Sequence, residues 1–385
     1  VQAVHNRVLL LLWLLGAMAA WQWPLLTHAP NRLVTGVGMT LASCLTGWHV
    51  LILIPALLLG VASFVSPRPA REVVVLLACA TWLAGLLAVG GDVARTLANT
   101  DSSYSRTSFG GGTWALWVLG WLAAADALGR LKLNPRDTVL VALAVLAPGV
   151  VLLFSGALAE LSVLKEYANR QDVFDAALLR HLAIVAATLV PTLLIGVPLG
   201  VAAFRRAGLR GPLFSVLNII QTIPSIALFG LLIAPLAALA AHVPLLGELG
   251  VSGIGVTPAV IALTLYSLLP MARSTTAGLE QVPAAVVEAA RGMGLSRRQV
   301  FWQVEVPLAL PVLLSGLRIT TVQAIGLTTV AALIGAGGFG AIMFQGLLSS
   351  ALDLVLLGAV PVIALAIAAD AVFKLLVSLL GARGQ

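Results

Sequence analysis

Charge is what this sequence has least of. Its 385 residues include 15 acidic and 22 basic ones, 10% in all, where ordinary soluble domains carry about 25%. That is too little polar side chain to cover a water-facing globule, so a cytosolic enzyme and a disordered chain are both excluded. Cysteine is nearly absent too. Cys44 and Cys79 are the whole complement and both lie in apolar runs, which excludes a disulfide scaffold and leaves them as small core residues. The five histidines, His5, His28, His49, His181 and His242, have no metal-ligand spacing, and no Ser/His/Asp grouping accompanies them. No Gly-Lys pair occurs anywhere. The phosphate-cradling loop of nucleotide hydrolases therefore cannot be built, and the chain itself is expected to bind neither ATP nor Mg.

What it has is apolar length. Hydrophobic residues make up 60% of the chain and mean hydropathy is +1.05. A helix needs about 20 mostly apolar residues to cross a bilayer. Ten runs qualify as candidates: 8–26, 36–64, 73–91, 113–128, 138–159, 182–204, 213–241, 257–275, 311–334 and 354–377. The runs are continuous rather than alternating, so the expected fold class is all-α, a polytopic helical membrane protein and not a barrel. The runs at 36–64 and 213–241 exceed the need and are expected to be tilted, broken or flanked by re-entrant pieces.

The +7 net charge marks sidedness rather than nucleic acid. With the N-terminus inside, the inner segments hold fifteen Lys and Arg, among them Arg7, Arg68, Arg71, Arg130, Lys132, Arg136, Arg205, Arg206, Arg210, Arg273, Arg291, Arg297, Arg298, Lys374 and Arg383. The outer segments hold six: Arg32, Arg95, Arg106, Lys165, Arg170 and Arg180. The positive-inside rule then places both termini in the cytoplasm. Residues 7–19 imitate a signal peptide, with Arg7 ahead of an apolar run and Ala17-Met18-Ala19 behind it; retention of this first span is the expectation.

Composition divides the chain. Residues 1–160 form a five-span unit with eight of the nine tryptophans, mostly near span ends as an interfacial aromatic belt requires; an aromatic cage for a quaternary ammonium is the sharper alternative. Residues 161–181 are a polar, helix-compatible outer connection. Residues 182–377 form a second five-span unit rich in Pro and Gly, with its largest inner loop at 276–310, and residues 378–385 form a cytoplasmic tail.

That loop is the most informative stretch. Pro283 suits the first turn of a helix, and Ala284–Arg291 are mostly strong helix formers. Gly294 can end the helix in a left-handed conformation. Ser296 can cap a second helix, with Gln299 completing a capping box, and Pro307 is expected to stop it. The outcome is two short helices at an angle, presenting Val286, Met293, Phe301 and Trp302 beside Arg291, Arg297 and Arg298. A loop this ordered implies something that docks on it. It imitates a DNA-binding helix-turn-helix, but spans abut it on both sides and leave no room for a duplex.

Glu288-Ala289-Ala290, then Gly294, then Val304, Val306 and Pro307 resemble the EAA motif of ABC importer permeases, with Val where Ile and Leu are usual. QTIPSIALFG at 221–230 and IGAGGFG at 334–340 resemble the glycine betaine/choline osmoprotectant permeases over roughly 175–380. APNRLV at 29–34, SGALAELSVLKEYANRQDVF at 155–174 and FQGLLSSALDLVLLG at 344–358 extend the likeness to nearly the whole chain in the long-form, YehY-type branch. The resemblance implies a MetI-like permease core in the second unit and a coupling role for the EAA residues. It also implies four partners or partner classes: a cytosolic ABC ATPase that binds the ATP and Mg, a periplasmic solute-binding protein, a second permease subunit (a copy or a shorter relative) and membrane lipid. The implied function is ATP-driven uptake of a compatible solute across the bacterial inner membrane by alternating access. An ion-gradient-driven secondary transporter is the alternative.

Polar residues inside spans are functional candidates. Asn218, Gln221 and Thr222 precede Pro224, where freed carbonyls line a water-filled path or the kink is satisfied by Ser225 or Thr222. Arg318 and Gln323 in the ninth span are the other pathway candidates. Asp370 and Lys374 are spaced to pair locally. Gly335, Gly337, Gly338 and Gly340 satisfy a dinucleotide-loop pattern, but they follow a span rather than a strand. They are read as tight packing or a joint at the outer mouth, a periplasmic gate.

Overall fold

In the computed structural model residues 4–31, 34–101, 104–248 and 250–381 are described. Arg32, Arg383 and the tail from 382 onward lie outside the described residues. The chain divides into two compact units, Val1–Asn169 and Arg170–Gln385.

The first unit opens on α1 (Arg7–Gln22), which Asn6 caps by accepting from the Leu9 amide at 3.0 Å. Pro24 cannot continue the helix. The chain turns into a small antiparallel sheet of β1 (Leu26–Ala29), β2 (Val37–Met39) and β3 (Arg106–Phe109), in the order β2-β1-β3. Leu26 stands opposite both Met39 and Phe109. After β2 come α2 (Leu41–Cys44), a 3-10 turn (Gly47–Ile52) and α3 (Leu53–Ala62). The run at 36–64 is thus broken, as its length foretold, and its first third is strand and loop. Then follow α4 (Pro69–Thr100), α5 (Gly111–Leu131), α6 (Pro135–Phe154) and α7 (Ser162–Asn169). α4 is the core element and packs on α3, α5 and α6, burying Val75, Cys79, Leu83, Leu86 and Val89. Trp21, Trp23 and Trp48 stay exposed near element ends, while Trp13 donates to the Ala56 carbonyl at 2.7 Å. At the end of the unit away from the sheet, Asn6 donates to Asp126 at 2.7 Å, Arg130 donates to the same carboxylate at 2.8 Å, and Arg71 and Glu72 are buried as a pair.

The second unit comprises α8 (Gln171–Arg205), α9 (Ala207–Thr222), α10 (Ser225–His242), α11 (Pro244–Glu248), α12 (Val256–Glu280), α13 (Ala284–Gly292), α14 (Arg297–Val300), a π-turn (Phe301–Glu305), α15 (Val306–Ala331), α16 (Phe339–Leu348) and α17 (Leu352–Gly381). α12 is central, between α8 and α15. Its neighbours come close because small residues face it. A Cβ on Gly200 of α8 would lie 2.5 Å from Thr275 Cβ, and one on Gly316 of α15 would lie 2.3 Å from Ser274 Cβ. Without a solvent contrast between side chain and lipid tail, such close approach is what holds membrane helices together.

Among the described residues seven helices are long and apolar enough to cross a membrane, against ten candidate runs. The run at 8–26 shrinks to the 16 residues of α1, 36–64 to the apolar stretch Gly47–Ala62, and α5 is long but less apolar. The connection at 161–181 is not separate: α7 takes 162–169 and α8 begins at Gln171, so its second half is the first three turns of a spanning helix. The first four residues of the expected tail belong to α17. The sheet and α16 were not foreseen.

Candidate functional site

The hairpin at 283–306 forms as its capping signals require. Pro283 caps α13, and Gly294 takes φ +87°, a conformation that a Cβ would strain. The Ser296–Gln299 capping box is complete: Ser296 Oγ accepts from the Gln299 amide at 3.4 Å and Gln299 Oε1 accepts from the Ser296 amide at 2.8 Å. Glu288 and Ala289 lie on α13 with Ala290, which is buried at 2%.

One expectation fails here. Pro307 does not stop the second helix; α14 continues through the π-turn into α15, with Pro307 in the first turn of α15. The proline ring would collide with the Gln303 carbonyl in a regular helix. The wider turn, in which the Val306 amide bonds to the Phe301 carbonyl, absorbs it. Val304 sits in that π-turn and Val306 begins α15, so the second arm of the hairpin is continuous with α15.

Between the hairpin and the ends of α8 and α12 lies a cleft of about 1110 Å³, lined by Phe204, Arg205, Glu280, Glu288, Arg291 and Trp302 among others. Arg205 stacks on Phe301 with its guanidinium carbon 4.5 Å from the ring centroid. Arg210 pairs with Glu280. Met293 and Trp302 are exposed, at 75% and 61%. The surface is apolar at its tips and mixed in charge within.

Pro224 does break the seventh run, between α9 and α10; Thr222 serves the kink locally, as one of the two readings had it, and a second helix adds the rest. The Ile223 carbonyl accepts the Tyr266 hydroxyl. The Tyr266 carbonyl lacks its helical donor because residue 270 is proline, and Gln221 Nε2 donates to it at 2.7 Å. Two proline-disrupted places in adjacent helices therefore satisfy each other. Thr222 bonds back to Ile219 at 2.7 Å. Asn218 donates to the Phe214 carbonyl at 2.7 Å and accepts from Arg273 at 3.1 Å. Arg273, counted with the inner segments above, lies about two turns inside α12.

Arg318 of α15 reaches Asp370 of α17 at 3.5 Å, and Lys374 reaches the same carboxylate at 2.7 Å. The local Asp370–Lys374 pair thus has a third member. Gln323 is half-buried on α15 and does not join that cluster.

The glycine loop packs tightly. Gly335, Gly337 and Gly338 take φ of +80°, +85° and +75°, and a Cβ on Gly340 would stand 2.0 Å from the Thr329 carbonyl oxygen. Arg180 donates to the Ala336 carbonyl at 3.2 Å, and buried His181 donates from Nε2 to the Ile325 carbonyl at 3.1 Å. The loop is thereby tied to the early turns of α8. Glycine supplies backbone geometry here, not a phosphate cradle.

Residues 6–164 match the family described as ABC transporter permease YehY, N-terminal domain, and residues 192–381 match the binding-protein-dependent transport system inner membrane component. The osmoprotectant import permease protein OsmW of Salmonella typhimurium is 43% identical over 195 residues, covering 50% of this chain and 84% of its own length. The chain belongs to the binding-protein-dependent ABC importer permeases. Within that family, the glycine betaine/carnitine/choline transport system permease protein OpuCB of Bacillus subtilis is 38% identical over 190 residues, covering 49% of this chain and 80% of its own length. A chain of the MetNI methionine ABC transporter, solved in an inward-facing conformation, is 24% identical with a TM-score of 0.46, over 55% of this chain and 97% of that one. This permease is a multi-pass membrane protein, and its fold class is the all-α one expected, with one small sheet in its first unit.

Sequence reasoning passed over Tyr266, Arg273 and Arg205, which tie this permease's candidate elements together. Pro270 was the available signal for Tyr266: a proline inside a span orphans the carbonyl four residues earlier, and some donor must reach it. Arg273 was legible as an arginine within a candidate span.

Proposed function

We propose that this permease imports a compatible solute of the quaternary ammonium class, glycine betaine or a near relative, by alternating access. The stroke comes from a separate cytosolic ATPase that holds the ATP and Mg and bears on residues 284–306. The observation that carries this reading is the hairpin's continuity with a span: α14, capped by Ser296, runs through the π-turn into α15, so a push on the hairpin reaches a spanning helix. Coupling of this kind needs two states with different contacts at both ends. The residues of the EAA pattern, Glu288, Ala289, Ala290, Gly294, Val304, Val306 and Pro307, form the docking element. Asn218, Gln221, Thr222, Pro224, Arg318 and Gln323 border the path. The loop of Gly335, Gly337, Gly338 and Gly340 shapes the outer mouth, where a periplasmic solute-binding protein delivers the solute. A second permease subunit, a copy or a shorter relative, completes the pore in the bacterial inner membrane, with both termini in the cytoplasm. The relatives' names support the solute class: they are called osmoprotectant, glycine betaine/carnitine/choline and choline permeases.

The ion-gradient alternative needs acids held at mid-membrane for the coupling ion. Asp126 is engaged by Asn6 and Arg130, and Asp370 by Arg318 and Lys374, which favours salt-bridged scaffolding over ion exchange. Uptake into proteoliposomes that hold the chain with its co-purified ATPase and binding protein decides between the two. ATP inside the vesicle is expected to drive glycine betaine accumulation in the absence of any ion gradient. Accumulation driven by a gradient without ATP overturns the reading.

A further inference from the structure

The candidate cations inside the second unit's spanning helices are not alike. Arg318 shares a carboxylate. Arg273 does not: among the described residues no Asp or Glu lies within ion-pair distance of it, and Glu280, on its own helix, is taken by Arg210. Yet Arg273 is exposed and sits about 10 Å inside the end of α12 at the helical rise of 1.5 Å per residue, within the apolar run 257–275 read as a span, where a guanidinium facing lipid tails is costly.

The side chain is not loose. Its Nη2 donates to Asn218 Oδ1 at 3.1 Å, and Asn218 is itself fixed by donating to the Phe214 carbonyl at 2.7 Å. The Phe214 ring flanks the guanidinium, with 5.8 Å between the guanidinium carbon and the centroid. Ser215, Asn218 and Thr222 recur at i, i+3 and i+7, so they share one face of α9. Ser215 and Thr222 are exposed and Asn218 is half-buried. That face of α9 also carries exposed Ile219, so it is mixed; the unpaired arginine that α12 sets against its polar residues is held for water and solute rather than for lipid.

We propose that Arg273 is a specificity-determining residue of the translocation path and recognises the carboxylate of a zwitterionic solute. A guanidinium presents a planar fork matched to a carboxylate, whereas it repels a solute that carries only a quaternary ammonium. The transported class is therefore a small carboxylate-bearing zwitterion of the betaine type in preference to a bare cation such as choline. The inference rests on the solute-import reading above and sharpens it, because the relatives' names include both kinds of solute.

The test uses the complete importer in proteoliposomes, with labelled glycine betaine and labelled choline as probes. Arg273→Gln is expected to lower ATP-driven glycine betaine uptake by about tenfold, the size of one lost charge-assisted hydrogen bond, while ATP hydrolysis stimulated by the loaded binding protein stays within about twofold. Arg273→Lys, which keeps the charge and loses the fork, is expected to fall between the two, and choline uptake is expected not to fall. Glycine betaine uptake by Arg273→Gln at the wild-type rate overturns the proposal. So does an equal loss of both probes, or a parallel loss of ATP hydrolysis, which makes Arg273 a structural or coupling residue. A wild-type importer idle with glycine betaine but active on another solute overturns the solute reading separately. The assignment of Arg273 then falls if that solute has no carboxylate, or if Arg273→Gln carries it unimpaired, and stands if it has one and Arg273→Gln loses it.

Discussion

Replacing Tyr266 by phenylalanine removes one hydroxyl and leaves the ring's packing intact. That hydroxyl is the donor to the Ile223 carbonyl at the break between α9 and α10, and Tyr266 is only 6% exposed, so water does not readily replace it. A buried acceptor left without a donor costs about 1–3 kcal/mol, although side-chain hydrogen bonds measured within bilayers average nearer 0.6 kcal/mol and reach about 1.7. About 1–1.5 kcal/mol for Tyr266→Phe lies where these ranges meet. The same holds for Gln221→Leu, which strips the only side-chain donor to the Tyr266 carbonyl among the described residues. At about 2–4 °C per kcal/mol for a folding unit of this size, each variant should melt roughly 2–6 °C below wild type. The two bonds straddle one break and share Tyr266, so the double variant should lose less than the sum of the singles by at least about 0.5 kcal/mol. Thermal unfolding of monodisperse protein in detergent, followed by tryptophan fluorescence, reads all four corners of the cycle. A Tyr266→Phe protein that melts within about 1 °C of wild type, or strictly additive singles, refutes the reciprocal lock.

Gly340→Ala should prevent proper assembly of the second unit, because the new Cβ would meet the Thr329 backbone oxygen at 2.0 Å and a backbone atom cannot swing away. Gly326→Ala, with nothing within 4 Å, should be neutral or gain up to about 1 kcal/mol of helix propensity; size-exclusion profiles and melting points compare the pair. Ser296→Ala removes one arm of the capping box and should cost about 0.5–2 kcal/mol locally, read as faster amide exchange at 297–300 with α15 unchanged. Asp370→Asn leaves Arg318 and Lys374 without their shared carboxylate. The cluster is partly exposed, so the loss should be about 1 kcal/mol in melting experiments, with ATP-driven uptake reduced less than in Arg273→Gln.

The spanning helices and the hairpin were legible because each is encoded locally. A continuous apolar run from Val139 onward makes α6 whatever surrounds it, and Ser296 with Gln299 caps α14 from three residues away. The sheet was not legible. Its strands are three or four residues long, Leu26 sits at the end of an apolar run that reads as helix, and the pairing of Leu26 with Phe109 is a contact between segments about 80 residues apart. Pro307 shows the opposite error. A proline was read as a stop, but the helix widened into a π-turn and went on, because continuity with α15 holds the hairpin's far end. The kink at Pro224 was located correctly and Thr222 does serve it, but its other partners, Tyr266 and the carbonyl freed by Pro270, lie on a different helix and were not legible. At the sheet and at the Pro224 kink, what escaped reading was a strand, donor or acceptor supplied from a distant part of the chain; at Pro307 it was a local widening of the helix.

The most direct measurement places a photo-crosslinking residue at Met293, the exposed tip of the hairpin, in cells that express the complete importer. Illumination should join this chain to its ATPase subunit, and Gly294→Pro, which leaves the tip in place but cannot adopt φ +87°, should abolish both the adduct and ATP-driven uptake. If Met293 captures no ATPase while transport proceeds, or if Gly294→Pro keeps the adduct and full uptake, the hairpin is not where the motor bears and the account is wrong.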